Sequence, residues 1–211
     1  LAAAAAACLF LLFCIFALLY AARRFPGPCP ARFSWVLENP YTKAVAGSAL
    51  LVRRAGLRPG MRVLDAGCGP GRLTIPAARA VREDGAVVAL DVQPKMLAKV
   101  AEKVKANGLT NVQTVEGALG RGALTGFKDR FDRVLLATVL GEIRDKKTAL
   151  AEIYEALKPG GLLSVTEMVP DPHFQKPGAV RRRAEGAGFR FVRRFGPWFA
   201  FTMNFVKPND A

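Results

Sequence analysis

The sequence predicts an α/β fold: a mainly parallel sheet with helices on both faces, closed by an antiparallel hairpin and preceded by a membrane-spanning helix. Three observations carry this. Short apolar runs alternate with helix-period segments from Met61 to Val206. The run Val63-Leu64-Asp65-Ala66-Gly67-Cys68-Gly69-Pro70-Gly71 takes a strand through a glycine turn into a helix. Leu1 to Ala22 holds no charged residue.

That first segment, 1–22, is long enough to cross a bilayer, since a helix of this length measures roughly 33 Å. Arg23 and Arg24 follow it, then Pro26, Gly27, Pro28 and Pro30. The arginines oppose insertion, and the prolines end the helix. The rival reading is a cleaved signal peptide, but no basic residue precedes the apolar core and no clear A-x-A site precedes Arg23. The expectation is a single-pass anchor over 1–22 with the rest of the chain on the cytoplasmic side, as the arginine pair implies. Residues 23–38 then form a basic, proline-rich juxtamembrane linker, and 39–211 form the folded domain.

Within the domain, Asn39-Pro40 starts a lid helix running to about Ala55. Met61–Ala66 is the first strand, and Leu73–Val81 the helix after it. Ala86–Asp91 is the second strand. Pro94–Ala106 is helical, with Met96, Leu97, Val100 and Val104 on one face and Asn107-Gly108 to end it. Val112–Val115 and Phe131–Ala137 are the third and fourth strands. Lys147–Leu157 is a helix stopped by Pro159-Gly160-Gly161, and Leu162–Met168 is the fifth strand. Ala179–Ala187 is a basic helix. Phe189–Phe195 and Trp198–Val206 flank Gly196-Pro197 as a hairpin.

Composition excludes several classes. Hydrophobic residues make up 51% of the 211, so the chain is not intrinsically disordered. Four cysteines without a C-x-x-C pair, and a single histidine, give neither a disulfide scaffold nor a His-rich metal site, so no metal is expected. The net charge of +14 is concentrated at two ends. Residues 23–60 hold seven Lys/Arg and one acid, residues 175–211 eight and two, and residues 61–174 sixteen and fourteen. Two basic arms thus flank a nearly neutral middle. They suit an anionic membrane surface, with nucleic acid as the less favoured partner and a merely solvated face as the plain alternative.

The glycine turn points to a cofactor. Glycines permit a sharp turn and close approach of a ligand to the backbone, and the next helix presents unpaired N–H groups. Asp91, twenty residues past Gly71, ends the second strand, where a carboxylate can accept from both hydroxyls of a ribose. A dinucleotide fingerprint would need G-x-G-x-x-G, and Arg72 and Leu73 depart from it. Asp65 beside the turn would repel a pyrophosphate and suits a cationic amino-acid group. A ligand with ribose and amino acid but no phosphate is S-adenosylmethionine.

The motifs Asp65-Ala66-Gly67-Cys68-Gly69-Pro70-Gly71-Arg72, Leu90-Asp91 and Leu157-Lys158-Pro159-Gly160-Gly161 resemble the class I S-adenosylmethionine-dependent methyltransferases. The ubiquinone/menaquinone-methyltransferase-like branch is the nearest in flavour. The resemblance covers about residues 40–206. It implies a Rossmann-like seven-stranded sheet of order 3-2-1-4-5-7-6. It also implies that Asp65, Gly67, Cys68, Gly69 and Gly71 surround the methionine moiety, that Asp91 binds the ribose, and that Val92 and Gln93 lie beside the adenine. Gly117 and Ala118 would read the adenine through their backbone, Ala137 would close the site from the fourth strand, and Tyr41 would cover the cofactor. One departure stands out: Ala118 occupies the place where the family often has an Asp for the adenine amine.

Methyl transfer needs alignment more than a metal, and a base only where the acceptor starts protonated. Ala137-Thr138-Val139-Leu140-Gly141-Glu142 is not the Asn/Asp-Pro-Pro-Tyr/Phe element of amino-group methyltransferases. Glu142 and His173 follow the fourth and fifth strands, at the edge where ligands bind, and are the candidate catalytic residues. The plain alternatives are a helix-start carboxylate and an incidental loop histidine. The expected function is a membrane-anchored methyltransferase acting on a lipophilic small molecule or lipid headgroup. A protein or RNA methyltransferase docked through the arms, or a non-catalytic cofactor-binding module, are the rivals.

Overall fold

The structure, a computed structural model, describes Phe10, Tyr20, residues 27–29 and residues 40–209, without the side chains of Tyr41 and Lys43. Seven strands form one sheet: β1 (Arg62–Ala66), β2 (Ala86–Asp91), β3 (Val112–Glu116), β4 (Phe131–Ala137), β5 (Leu157–Met168), β6 (Arg190–Phe195) and β7 (Ala200–Val206). Their order is β3-β2-β1-β4-β5-β7-β6, as the resemblance implied. The pairings among β1–β5 are parallel, and β7 runs antiparallel to both β5 and β6. The C-terminal ends of β1–β5 and the turn between β6 and β7 therefore share one edge.

Alternation along the strands sets the two layers. Val63, Val87 and Leu135 face one side, where they pack with Leu51 and Ala55 of α2 (Ser48–Ala55) and Ala77, Ala78 and Val81 of α3 (Thr74–Val81). Ala89 meets Val100 of α4 (Pro94–Ala106) on that side as well. Leu64, Val88, Val134 and Leu136 face the other side, against Leu150 and Ile153 of α5 (Lys146–Ala156) and Val180 and Ala184 of α6 (Pro177–Gly186). Phe131, Phe201 and Phe205 are fully buried there, each contributing roughly 1.5–3 kcal/mol by removal from water.

Three expectations change. The lid helix is two helices, α1 (Pro40–Ala46) and α2, because Gly47 takes an extended conformation (φ −59°, ψ 143°). α2 is fastened to the sheet by the Asn204 side-chain amide donating to the Arg54 carbonyl at 2.7 Å and by Arg133 Nε donating to the Ala55 carbonyl at 3.0 Å. β5 begins at Leu157 rather than Leu162: Leu157 pairs with Phe131 and Leu162 with Arg133, so Lys158–Gly161 bulge between two paired residues. Gly160 (φ +73°) supplies the left-handed turn this bulge requires.

The third change concerns the membrane. Among the described residues, no helix is long and apolar enough to cross a bilayer. The expected anchor over 1–22 lies, apart from Phe10 and Tyr20, outside the described residues. The expected transmembrane helix and single-pass localisation are therefore not supported.

Candidate active site

A cavity of about 440 Å³ opens at the C-terminal edge of the parallel strands. This is the edge at which open α/β sheets bind ligands. One wall comes from the ends of β1, β2 and β3: Gly67, Leu90–Val92 and Gly117–Arg121. The facing wall is Val139 and Glu142–Asp145, which follow β4. Gly27 and Pro28 complete it from the segment ahead of the domain. A smaller hollow of about 240 Å³, at Arg62, Asn111 and Arg130, lies at the opposite edge of the sheet.

The first wall is built on backbone geometry. Gly67, Gly69 and Gly71 have φ of +73°, +53° and +82°. Gly67 is also sterically committed: a Cβ there would stand 2.5 Å from Val139 Cγ2. The Gly67 and Cys68 N–H groups both donate to the Leu90 carbonyl, at 2.8 and 2.9 Å, which pins the turn to β2. Asp91 then reaches across. Its Oδ2 accepts from the Gly69 N–H and its Oδ1 from the Gln93 N–H, each at 2.9 Å. Each oxygen retains a further lone pair on the cavity wall, which fits a vicinal diol. The Gly117 N–H donates to the Asp91 carbonyl at 3.1 Å, and a Cβ on Gly117 would lie 2.8 Å from the Ala123 Cβ. Val92, 42% exposed, offers an apolar face at the rim.

Not every expected residue reaches the cavity. Asp65 is 2% exposed and sits behind the turn, where Thr74 Oγ1 donates to its Oδ2 at 2.6 Å. Burial raises its carboxyl to about 6. Thr74, the second residue after Arg72, was not singled out by the sequence. Cys68 is buried against Ala89 and Val100, and burial pushes its thiol up. Gly69 and Gly71 form the body of the turn, whose far side is held by Arg72 Nη1 donating to the Ala46 carbonyl at 2.6 Å. Gln93 lies beside the site and donates through Nε2 to the Cys29 carbonyl at 2.9 Å. Ala137 ends β4 half-buried, paired with Thr166. Tyr41 lies in α1, and its side chain falls outside the described residues.

The second wall carries the titratable groups. Glu142 lines the cavity, and burial, then the Asp171 carboxylate, raises its carboxyl to about 8, against a hydrogen bond from the Cys29 backbone. Behind it, Glu167 at the end of β5 is 1% exposed and likewise raised to about 8 by burial. Its Oε2 accepts from the Gln175 N–H at 3.0 Å, while Oε1 is buried with no hydrogen-bond partner among the described residues. Asp171, also raised by burial, accepts the His173 backbone N–H at 2.6 Å. The His173 ring nitrogen Nδ1 stands 3.8 Å from the same carboxylate. His173 is not on the cavity wall. Its carbonyl presses on Gly141, where a Cβ would lie 1.9 Å away. Thr138, with φ +58°, holds β4's last turn in a conformation costly for a β-branched residue. Its N–H donates to the Thr166 carbonyl at 2.8 Å.

Neither Glu167 nor Thr138 was found from sequence. A glutamate inside an apolar strand, Leu163-Ser164-Val165-Thr166-Glu167-Met168, was the available signal for the first. Among the described residues, no group of three or more His, Cys, Asp or Glu is placed to hold a metal ion.

Known proteins share this fold. Residues 57–185 match the family described as "Methyltransferase domain". The ubiquinone/menaquinone biosynthesis C-methyltransferase UbiE of Shewanella halifaxensis is 36% identical over 123 residues, covering 58% of this chain and 48% of that protein. UbiE of Erwinia tasmaniensis is 38% identical over 143 residues, covering 67% and 55%. The chain thus spans about half the length of these relatives. A SAM-dependent methyltransferase of Aquifex aeolicus superposes with a TM-score of 0.77 at 24% identity, over 85% of this chain and 99% of that one, and shows the same fold. The family match covers more than half of the chain and contains the glycine turn, Asp91 and Glu142, so the chain belongs to the class I S-adenosylmethionine-dependent methyltransferases, in their UbiE-like branch.

Proposed function

We propose that the chain transfers a methyl group to a lipophilic acceptor of the hydroquinone class, held between the Asp91 wall and the Glu142 wall. The observation that supports this is the cavity itself: one space joins the diol-binding carboxylate to an acid lifted into the neutral range. S-adenosylmethionine, when bound, supplies an electrophilic methyl group. Asp91 accepts from the ribose hydroxyls while its bonds to Gly69 and Gln93 keep it oriented. The Gly117 and Ala118 backbone borders the adenine, with Val92 against its face. Asp65, behind the turn, supplies negative potential toward the methionine ammonium.

On the acceptor side, Val139 and Ile143 give apolar contact and exclude water. The Glu142 carboxylate takes a phenolic proton, which raises electron density at the neighbouring ring carbon. That carbon bonds the methyl as the sulfur–methyl bond breaks, then loses its own hydrogen as a proton, and Glu142 returns a proton to the ring oxygen. A carboxyl raised to about 8 is matched to a phenol far better than an ordinary one, because the proton-transfer mismatch is smaller. The relatives are carbon methyltransferases by name, and a cavity of about 440 Å³ favours a small acceptor over a protein or RNA.

The test is calorimetric titration of the full chain with S-adenosylmethionine and S-adenosylhomocysteine, with Asp91→Ala as control. Transfer of labelled methyl to a short-chain, water-soluble hydroquinone follows. Saturable binding lost in the variant, with label in the ring, supports the reading. No heat from a folded chain, or binding without transfer to any phenolic acceptor, overturns it.

A further inference from the structure

The turn joining β6 to β7 sits on the same edge of the sheet as the cavity, because β6 runs parallel to β5. Its tip carries Trp198, 65% exposed, and Phe199, 38% exposed, in an edge-to-face pair with ring centroids 5.7 Å apart. Val169, 36% exposed, is tied to this tip by its N–H donating to the Phe199 carbonyl at 2.7 Å. The rest of β7 is different: Phe201 and Phe205 are fully buried. The strand's aromatics therefore divide sharply into core and tip, and packing accounts only for the first group.

The exposed charge flanking the tip is mainly positive. Arg193 and Arg194, both exposed, leave adjacent positions of β6 and so project to opposite faces of the sheet, flanking the tip. Arg144, Lys147 and Lys176 are exposed along the same edge. The exposed acid among them, Asp145, is committed to capping α5 through Thr148. From Lys176 to Phe199 the chain holds seven Lys/Arg and one acid.

We propose that this edge docks on an anionic phospholipid bilayer, with Trp198 and Phe199 entering the headgroup boundary and the arginines meeting lipid phosphates. Exposed indole and phenyl rings ringed by cations match that boundary, which is apolar on one side and negatively charged on the other. A protein partner's hydrophobic site would not call for uncompensated charge on both faces of the tip. Docking in this orientation turns the cavity mouth toward the bilayer, so a lipophilic acceptor enters without crossing water. The proposal deepens the reading of a lipophilic acceptor and rests on it.

The full chain with Trp35→Phe leaves Trp198 as the sole tryptophan. Its emission is followed with vesicles of phosphatidylcholine alone and of phosphatidylcholine mixed with phosphatidylglycerol, some carrying brominated acyl chains. The expected result is a blue shift and bromine quenching on the mixed vesicles only, reversed by salt. Arg193→Ala/Arg194→Ala lowers partitioning by about tenfold or more. That variant still methylates the short-chain hydroquinone at the parent rate. Unchanged Trp198 emission on a chain that sediments with the vesicles, or an equal response to neutral vesicles, overturns the proposal. So does a lipid-free shift that grows with protein concentration, which assigns the tip to a second copy. If the parent chain fails on the water-soluble hydroquinone, the catalytic reading fails while the Trp198 result still decides the docking.

Discussion

Asp91 holds the turn that it faces: its Oδ2 accepts the Gly69 N–H at 2.9 Å, from the end of one strand to the turn leaving its neighbour. The carboxylate shapes the loop and presents acceptors to a ligand at once. Asp91→Asn keeps the size and removes the charge. Calorimetry should show S-adenosylmethionine binding weakened about 10- to 100-fold, the range of one or two charge-assisted hydrogen bonds. An unchanged affinity would remove Asp91 from the ribose site.

Ala118 lines the cavity, at the position where the family resemblance leads one to expect an aspartate. Ala118→Asp should add an acceptor for the adenine amine and tighten binding by about fivefold to tenfold. The same titration reads it, and a loss of affinity would mean that the adenine lies elsewhere.

Glu142 works as a base only when ionised. With its carboxyl at about 8, the ionised fraction rises with pH through the neutral range. The rate of methyl transfer should therefore climb toward pH 8 and level off above it. Glu142→Gln should lose that limb and about 100-fold in kcat at pH 8, with little change in cofactor affinity. A variant that keeps the parent's pH profile would exclude Glu142 as the base.

Glu167 bears on stability. Its folded carboxyl, at about 8, lies above its unfolded value of about 4.3. Between these values the folded state binds the extra proton, so stability falls as pH rises through that window and is level above it. Glu167→Gln preserves a neutral side chain at every pH. Denaturant melts from pH 5 to 9 should show a flatter stability profile for the variant and a higher midpoint than the parent at pH 9. Parallel profiles would show that Glu167 titrates normally.

Gly67→Ala places a methyl against Val139 and requires φ of +73° from an alanine. The cost should be about 2 kcal/mol or more. Adding Val139→Ala should recover the steric part and leave the backbone part, a coupling that a double-mutant cycle of unfolding measures directly.

The cavity wall built from Gly67 and Asp91 was legible because it is local. Gly67 to Gly71 and Asp91 are a short motif and a fixed spacing, and the backbone geometry that they require is specific to glycine and to strand ends. The parallel elements were legible for the same reason, since alternation in Ala86–Asp91 and helical spacing in Pro94–Ala106 are short-range patterns. The mutual electrostatics of the facing wall were not. Glu167 and Asp171 reach Glu142 only once β4 and β5 are paired, and nothing in the spacing of 142, 167 and 171 announces their mutual effect. Likewise the break at Gly47 depends on how α1 and α2 meet the sheet, so the run from Pro40 to Ala55 read as one helix. The expectation of an anchor rested on composition alone, and composition reports how apolar a segment is and not where it lies.

Gly27 and Pro28 wall the cavity, and Cys29 bonds both to Gln93 and to Glu142. Occupancy of the cavity and the placement of residues 27–29 are thus linked through shared contacts. A ligand that contacts Gly27 and Pro28 favours this placement, and by reciprocity whatever favours the placement raises ligand affinity by the same factor. Residues 27–29 are in this sense part of the site that they border, and their placement biases every molecule that enters.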